Sequence, residues 1–276
     1  MKMQNVTDIL FVIVLYNQSF KDTNSYKSLL NSVSTHNIFI WDNSVSSALN
    51  NGLESSGFQY THSIENKGVS FPYNRAFDYA RKKGFQWIML LDQDTIFADT
   101  FLEKLELAMH QHPKINMFCP LHQLTNGLYL SPAKLFMKFT RLSNKQISGI
   151  IDLSDYAIIN SGLVVSVDLF KKTGGYNEKV FLDYSDFQFI ERCTKFDSKA
   201  FCINSVCIQD FSNDCVEEEK LLNRFALFCQ SLKGFENRTI IGTFEYYLVV
   251  LKRCLSLVYR LKSFRPIEIF YNQYIK

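Results

Sequence analysis

The stretch "LLDQDT" at residues 90–95 places two carboxylates, Asp92 and Asp94, one residue apart just after the apolar run "FQWIML". In an extended segment, positions i and i+2 share a face. The pair can then converge on one divalent cation, or on a polyphosphate held through it, by hard oxygen ligation. A solvated turn is the competing explanation, since Asp is a common turn residue. A second acidic pair, Asp183 and Asp186 in "LDYSDFQFIER", stands three residues apart where a helical pattern begins and so shares one helix face. There one carboxylate can take the proton of an attacking hydroxyl while the other binds the reacting partner. Dipole-favoured acids at a helix start are the alternative.

Both pairs need elements to hold them. "ILFVIVLY" (9–16) and "NIFIWDNS" (37–44) read as buried strands. "FPYNRAFDYARKKG" reads as a helix, with Ser70 as N-cap, Pro72 in the first turn and Gly84 as terminator. The strand "FQWIMLL" leads into the acidic pair, and a helix from about Thr100 carries a capping box with Glu103. "INMFCP" is a further short strand, and residues 121–150, with weak periodicity, read as a loop region with one short helix. Then come a strand ending near Val165, a short helix from Asp168 stopped at Gly174-Gly175, a helix from about Asp183 and a last strand over 199–209. Alternating strands and helices imply a mostly parallel sheet wrapped by helices, with ligands at the carboxyl ends of the strands. Asp92 and Asp94 fall at such an end.

Composition narrows the class. With 276 residues, 47% hydrophobic, 21% charged and a net charge of +3, the chain has the make-up of an ordinary globular protein and lacks the basic footprint of a nucleic-acid binder. No G-x-G-x-x-G follows the first strand, which argues against a dinucleotide enzyme. Seven cysteines (119, 193, 202, 207, 215, 229 and 254) form no CxxC pair, so buried free thiols and a reducing cytoplasm are expected. The apolar start is too short for a signal peptide, and no run suits a membrane span. The segment "FEYYLVVLKRCLSLVYRLKSFRP" (244–266) mixes apolar residues with Lys252, Arg253, Arg260, Lys262 and Arg265. Such a helix can lie on an anionic membrane surface or pack on the rest of the chain.

Taken in order, "VIVLYN", "WDNS", "NKGVSFPYNRAFDYA", "LLDQDT", "NSGLVVSVDLFKKTGGYNEKVFLDYSDFQFIER" and "VCIQD" resemble the motifs of family 2 glycosyltransferases, nearest their bacterial rhamnosyltransferase-like branch, over residues 8–215. The resemblance implies the GT-A fold: a mixed sheet flanked by helices, with a nucleotide-sugar half (1–120), an acceptor half (121–215) and a C-terminal helical extension (216–276). It implies inverting transfer of a sugar from a nucleotide diphosphate donor, assisted by Mn²⁺ or Mg²⁺. On the same ground Asp42 is similar to the carboxylate that binds the donor base, with Tyr16 and Asn17 beside it, and Asn66, Lys67, Gly68 and Asn74 match the segment approaching the nucleotide. Asp92 resembles the ribose- or metal-side carboxylate and Asp94 the direct metal ligand. Asp183 and Asp186 match the segment supplying the base, with Asp186 preferred, and Arg192 matches the arginine that follows.

Two positions depart from the family pattern. Gln209 stands where relatives carry a metal-binding histidine, leaving a weaker ligand or a role for Asp210. Tyr184 stands where some relatives carry a carboxylate. Expected partners are dTDP-rhamnose or a UDP-hexose and a saccharide acceptor on a lipid carrier, used in the cytoplasm or at the inner membrane face. Two alternatives stay open: a non-catalytic sugar-nucleotide binder, favoured by Gln209, and a D-x-D-x-T phosphatase-like hydrolase, for which Thr95 falls one residue early.

Overall fold

The computed structural model describes residues 8–209, 217–236 and 239–276. The chain opens with β1 (Ile9–Leu15), a one-turn α1 (Asn24–Ser28), β2 (Ile38–Asp42) and β3 (Gln59–His62). Then come α2 (Ser70–Lys83), β4 (Trp87–Leu91), the short β5 (Thr95–Ile96) and α3 (Phe101–Gln111). Strands β3, β2, β1 and β4 lie side by side in parallel. Leu10 and Val12 of β1 enter one core while Ile9, Phe11, Ile13 and Leu15 enter the other, so both faces are covered. That double burial is what an unbroken apolar run encodes.

Beyond β4 the sheet changes direction. The next elements are β6 (Met117–Leu124), β7 (Tyr129–Phe136), β8 (Phe139–Ser143), β9 (Gly149–Asp152), β10 (Tyr156–Ala157), β11 (Val164–Ser166), α4 (Val167–Thr173), α5 (Ser185–Cys193) and β12 (Lys199–Gln209). β11 sits antiparallel between β4 and β6, and β7 is antiparallel to β6, β8 and β10. β12 runs parallel to β6. The sheet is therefore mixed, as the GT-A resemblance implies, and less parallel than the alternation of strands and helices suggests. Residues 121–150 hold strands rather than a loop with a helix. The half-exposed faces of β7 and β8 put polar residues inside strands and hide the alternation.

Two capping expectations also fail. Ser70 lies within the first turn of α2 and donates its hydroxyl to the Val180 carbonyl (2.6 Å), so Val69 caps that helix without a side-chain bond. Thr100 is the N-cap of α3 but makes no side-chain capping bond. Gly84 does end α2, in the left-handed conformation expected of it. Helices α6 (Glu218–Lys233), α7 (Ile240–Leu261) and α8 (Arg265–Phe270) share a third apolar cluster, which takes in Val180. The six cysteines among the described residues are free and buried, while Cys215 lies outside them.

Candidate functional site

The parallel strands β1, β2 and β4 bring Tyr16–Asn17, Asp42–Ser44 and Asp92–Asp94 to one edge of the sheet. Residues 92–94 turn there rather than extend, because the segment at α1 takes hold of their carbonyls. Asn24 N–H donates to Gln93 O (2.9 Å), Asn24 Nδ2 to Asp94 O (3.0 Å) and the Ser25 hydroxyl to Asp92 O. Gln93, passed over in the sequence, returns the bond: its Oε1 accepts from Tyr16 N–H at 3.0 Å. Thr95 Oγ1 meets Ser161 Oγ at 2.7 Å and ties the turn to the 160–162 loop before β11. The acidic turn is thus held from three sides with its carboxyl groups half-buried.

The donor-side residues fall into two sets. Asp42 is fully buried; its carboxylate accepts from Ser44 N–H (2.9 Å), Asn50 Nδ2 (2.8 Å) and the Tyr60 hydroxyl (2.9 Å). Those bonds place it as the hub of the loop after β2. Its neighbour Asn43 accepts from Trp41 Nε1 and Lys67 N–H (both 3.0 Å) and donates to Gly68 O (2.7 Å), fixing the 66–68 turn. Asn66 closes that turn on Gly68 N–H (2.9 Å), and Lys67 pairs with Glu65. Gly68 (φ +68°) touches the Phe181 carbonyl so closely that a Cβ would sit 2.0 Å from it. Tyr16 is half-exposed, and Asn17, in the left-handed region (φ 52°), donates its N–H to Ser44 Oγ (2.7 Å).

Asn74 and Arg192 are spent on structure. Asn74 accepts from Tyr176 N–H (2.9 Å) and donates to Tyr176 O (3.0 Å), fastening α2 to the loop before α5. Arg192 pairs with Glu236 (2.6 Å) and donates to the Gly175 carbonyl (2.5 Å).

On the far side of the edge, Tyr184 in the left-handed conformation (φ 66°) ends the turn that launches α5. Asp186 follows in the helix's first turn, its Oδ1 accepting from Phe187 N–H at 2.8 Å. Burial, aided by the nearby Asp183 charge, pushes the Asp186 carboxyl up to about 7. Asp183 is bound by Arg224 Nη2 at 2.7 Å.

Two phenols connect the acidic groups. Burial raises Tyr73 and Tyr176 well above the usual tyrosine range, and the charges of Asp92 and Asp186 add to that on both. Both carboxylates thus act on one pair of rings, whose centroids lie 5.1 Å apart. The Tyr73 hydroxyl is buried without a hydrogen-bond partner, while Tyr176 donates to Asn160 Oδ1 (2.6 Å). Asn160 Nδ2 in turn reaches Ser185 Oγ (3.1 Å), beside Asp186. The "NSG" run of residues 160–162 was the available signal for this bridge.

Asp92 and Asp94 supply hard oxygens suited to a divalent cation shared with a diphosphate. No group of three His, Cys, Asp or Glu able to hold a metal occurs among the described residues. The Gln209 backbone pairs with Thr95 beside the acidic turn, and Asp210 lies outside the described residues.

The carboxyl edge of the parallel strands thus carries one turn with two acids and, linked to it through Asn160 and Ser161, a second turn with the raised Asp186 carboxyl. The family model described as Glycosyl transferase family 2 matches residues 11–174, and the chain belongs to that family. It is similar to the dTDP-rhamnosyl transferase RfbF of Shigella flexneri, 25% identical over 194 residues, which cover 69% of this chain and 64% of that protein. The chain thus matches just under two thirds of that relative's length.

Among solved structures it resembles S. aureus TarS 1–349 in complex with UDP-GlcNAc (TM-score 0.50, 12% identity, 95% of this chain and 79% of that one). It also resembles the mannosyltransferase PcManGT from Pyrobaculum calidifontis in complex with GDP-Man and Mn²⁺ (TM-score 0.50, 11% identity, 95% and 73%). The fold is GT-A, as expected from the motif order. Family membership sets the phosphatase-like alternative aside.

Proposed function

We propose that the protein moves a sugar, with rhamnose first among the candidates and galactose, glucose or galactofuranose after it, from a nucleotide diphosphate donor to an acceptor hydroxyl with inversion. The observation that carries this reading is the hydrogen-bonded link between the two acidic turns: Thr95, next to Asp94, meets Ser161 (2.7 Å), and the adjoining Asn160 joins Tyr176 (2.6 Å) and Ser185 (3.1 Å), the residue before Asp186. Likeness to a dTDP-rhamnosyl transferase supports the choice of donor. On this reading residues 1–120 form the nucleotide-sugar half, 121–215 the acceptor half and 216–276 the C-terminal helical extension.

Asp94 and Asp92 would hold the divalent ion. When bound, Mn²⁺ or Mg²⁺ stabilises the charge that develops on the leaving diphosphate. The chain's own part is geometric and acid–base. Tyr16, Asn17 and the 66–68 turn shape the nucleotide end, while Asp42 keeps that end rigid. Asp186 accepts the proton of the acceptor hydroxyl as its oxygen bonds to the anomeric carbon, and the bond from that carbon to the phosphate oxygen breaks with its electron pair leaving on the nucleoside diphosphate. A carboxyl poised near 7 suits that task, because a general base works best close to the operating pH.

No described helix is long and apolar enough to cross a membrane. The exposed Leu255, Tyr259 and Phe264, beside the exposed Arg260 and Lys262, support contact with an anionic membrane surface, where a lipid-linked surface-polysaccharide acceptor would be met. The test is transfer from dTDP-rhamnose by Asp186→Asn: donor binding near normal and product formation lost. If Asp183→Asn alone has that effect, Asp183 is the base.

A further inference from the structure

The C-terminal helices reach the turn of Asp183 and Asp186 through two arginines. Arg224 of α6 donates to Asp183 Oδ1 at 2.7 Å, and Arg253 Nη1 of α7 lies 3.8 Å from Oδ2. Asp183 is only 16% exposed in its side chain, so the pair is partly withdrawn from water. The Arg253 guanidinium also covers the Phe228 ring at 4.1 Å. The same helices grip the turn elsewhere: Ser231 Oγ accepts from Leu182 N–H (3.4 Å), and the Tyr184 ring meets Phe228 and Tyr246 edge-on.

Acids surround Asp186. Asp183 and Tyr184 face it from its own turn, Tyr73 from α2, Tyr176 from the loop before α5 and Tyr246 from α7, while Asp92 bears on the same two phenols as Asp186. Cationic charge enters this group through Arg224 and Arg253. Two like charges so near would resist ionising together unless one is compensated.

We infer that Arg224 and Arg253 are positioning residues of the transfer site: by holding and neutralising Asp183 they fix the turn that presents Asp186 and keep Asp186 available as the base. The helices outside the sheet are then part of the catalytic machinery. The inference rests on reading Asp186 as the base, and its test is independent of substrate. The full chain, labelled at the aspartate side-chain carbon, is titrated by ¹³C NMR, with Asp186→Asn identifying the Asp186 resonance.

Arg224→Ala should raise the Asp186 midpoint by about half to one unit, lowering the ionised fraction at pH 7 roughly two- to fivefold. Arg224→Ala/Arg253→Ala should raise it further, and Arg224→Lys should restore most of the wild-type curve. Asp183→Asn should move the midpoint the opposite way, because it removes the like charge and leaves both arginines. Since Arg253 also packs on Phe228, the single Arg224 variants guard against a folding defect. Arginine variants that keep the wild-type midpoint, or a lysine variant that follows the alanine one, overturn the inference. If Asp186→Asn keeps full transfer, the base assignment fails while the titrations still report whether the arginines act on Asp186.

Discussion

Asp42 ends β2 and Asp186 opens α5, and the fold treats the two in opposite ways. Asp42 is given three donors and no exposure, so it is an anchor. Asp186 is given one donor from its own turn, and burial first, then the Asp183 charge, pushes its carboxyl up to about 7. The same contrast extends outward. Around Asp42 the polar groups of Asn43, Ser44 and Asn50 are paired, whereas near Asp186 the Tyr73 hydroxyl, Asp183 Oδ2 and Gln188 Nε2 are buried without hydrogen-bond partners. Full hydrogen bonding rigidifies a buried polar cluster, and withheld bonds leave a group ready to react. On the proposed reading, the end around Asp42 is a mould and the turn of Asp183 and Asp186 is the reactive part.

The contrast can be broken by substitution. Asp186→Asn should cost on the order of a hundredfold or more in transfer rate, read in a product assay with saturating donor. Gly68→Ala strikes the joint between the two regions, where the backbone is left-handed and pressed on Phe181. It should destabilise the fold by roughly 3 kcal/mol, measured by urea unfolding. A loss under about 1 kcal/mol would show that the contact yields.

Stability against pH separates the two carboxylates more finely. The folded-state midpoint of Asp186 is raised, so the folded protein binds more protons than the unfolded chain between about 4 and about 7. This residue's contribution to stability is thus fullest at low pH and is lost as pH rises through about 7. Asp186→Asn should accordingly gain about 4 kcal/mol over wild type at pH 8 and almost nothing at pH 4. Asp42→Asn should instead lose about 1–2 kcal/mol at pH 8, because an amide puts donors where three donors already point. Equal behaviour of the two variants would erase the distinction.

Motif positions were legible in the sequence because each sits beside an unmistakable element, as Asp92 follows "WIMLL" and Asp42 ends "IFIW". Division of labour was not, since it depends on distant residues. Asp42 is saturated by Asn50 and Tyr60, Asn74 is drawn to Tyr176 across 102 positions, and Asp183 waits for Arg224 from 41 positions away. The parallel strands β1, β2 and β4 could be read because both their faces are apolar, whereas β3, "QYTH" with every residue half-exposed, was missed. Strands β7 and β8 could not, because one side meets water and Gly127 closes a hairpin that looks like plain loop.

The central claim is that the turn of Asp92 and Asp94 binds a nucleotide diphosphate sugar through a metal. The most direct test is calorimetric titration of the full chain with dTDP-rhamnose, UDP-galactose, UDP-glucose and UDP-galactofuranose, each in Mn²⁺ and in chelator, repeated on Asp94→Ala. The account predicts that one donor binds in Mn²⁺, weakens at least about tenfold in chelator and weakens equally in the variant. Binding indifferent to both metal and Asp94, or no binding of any of the four, would contradict it.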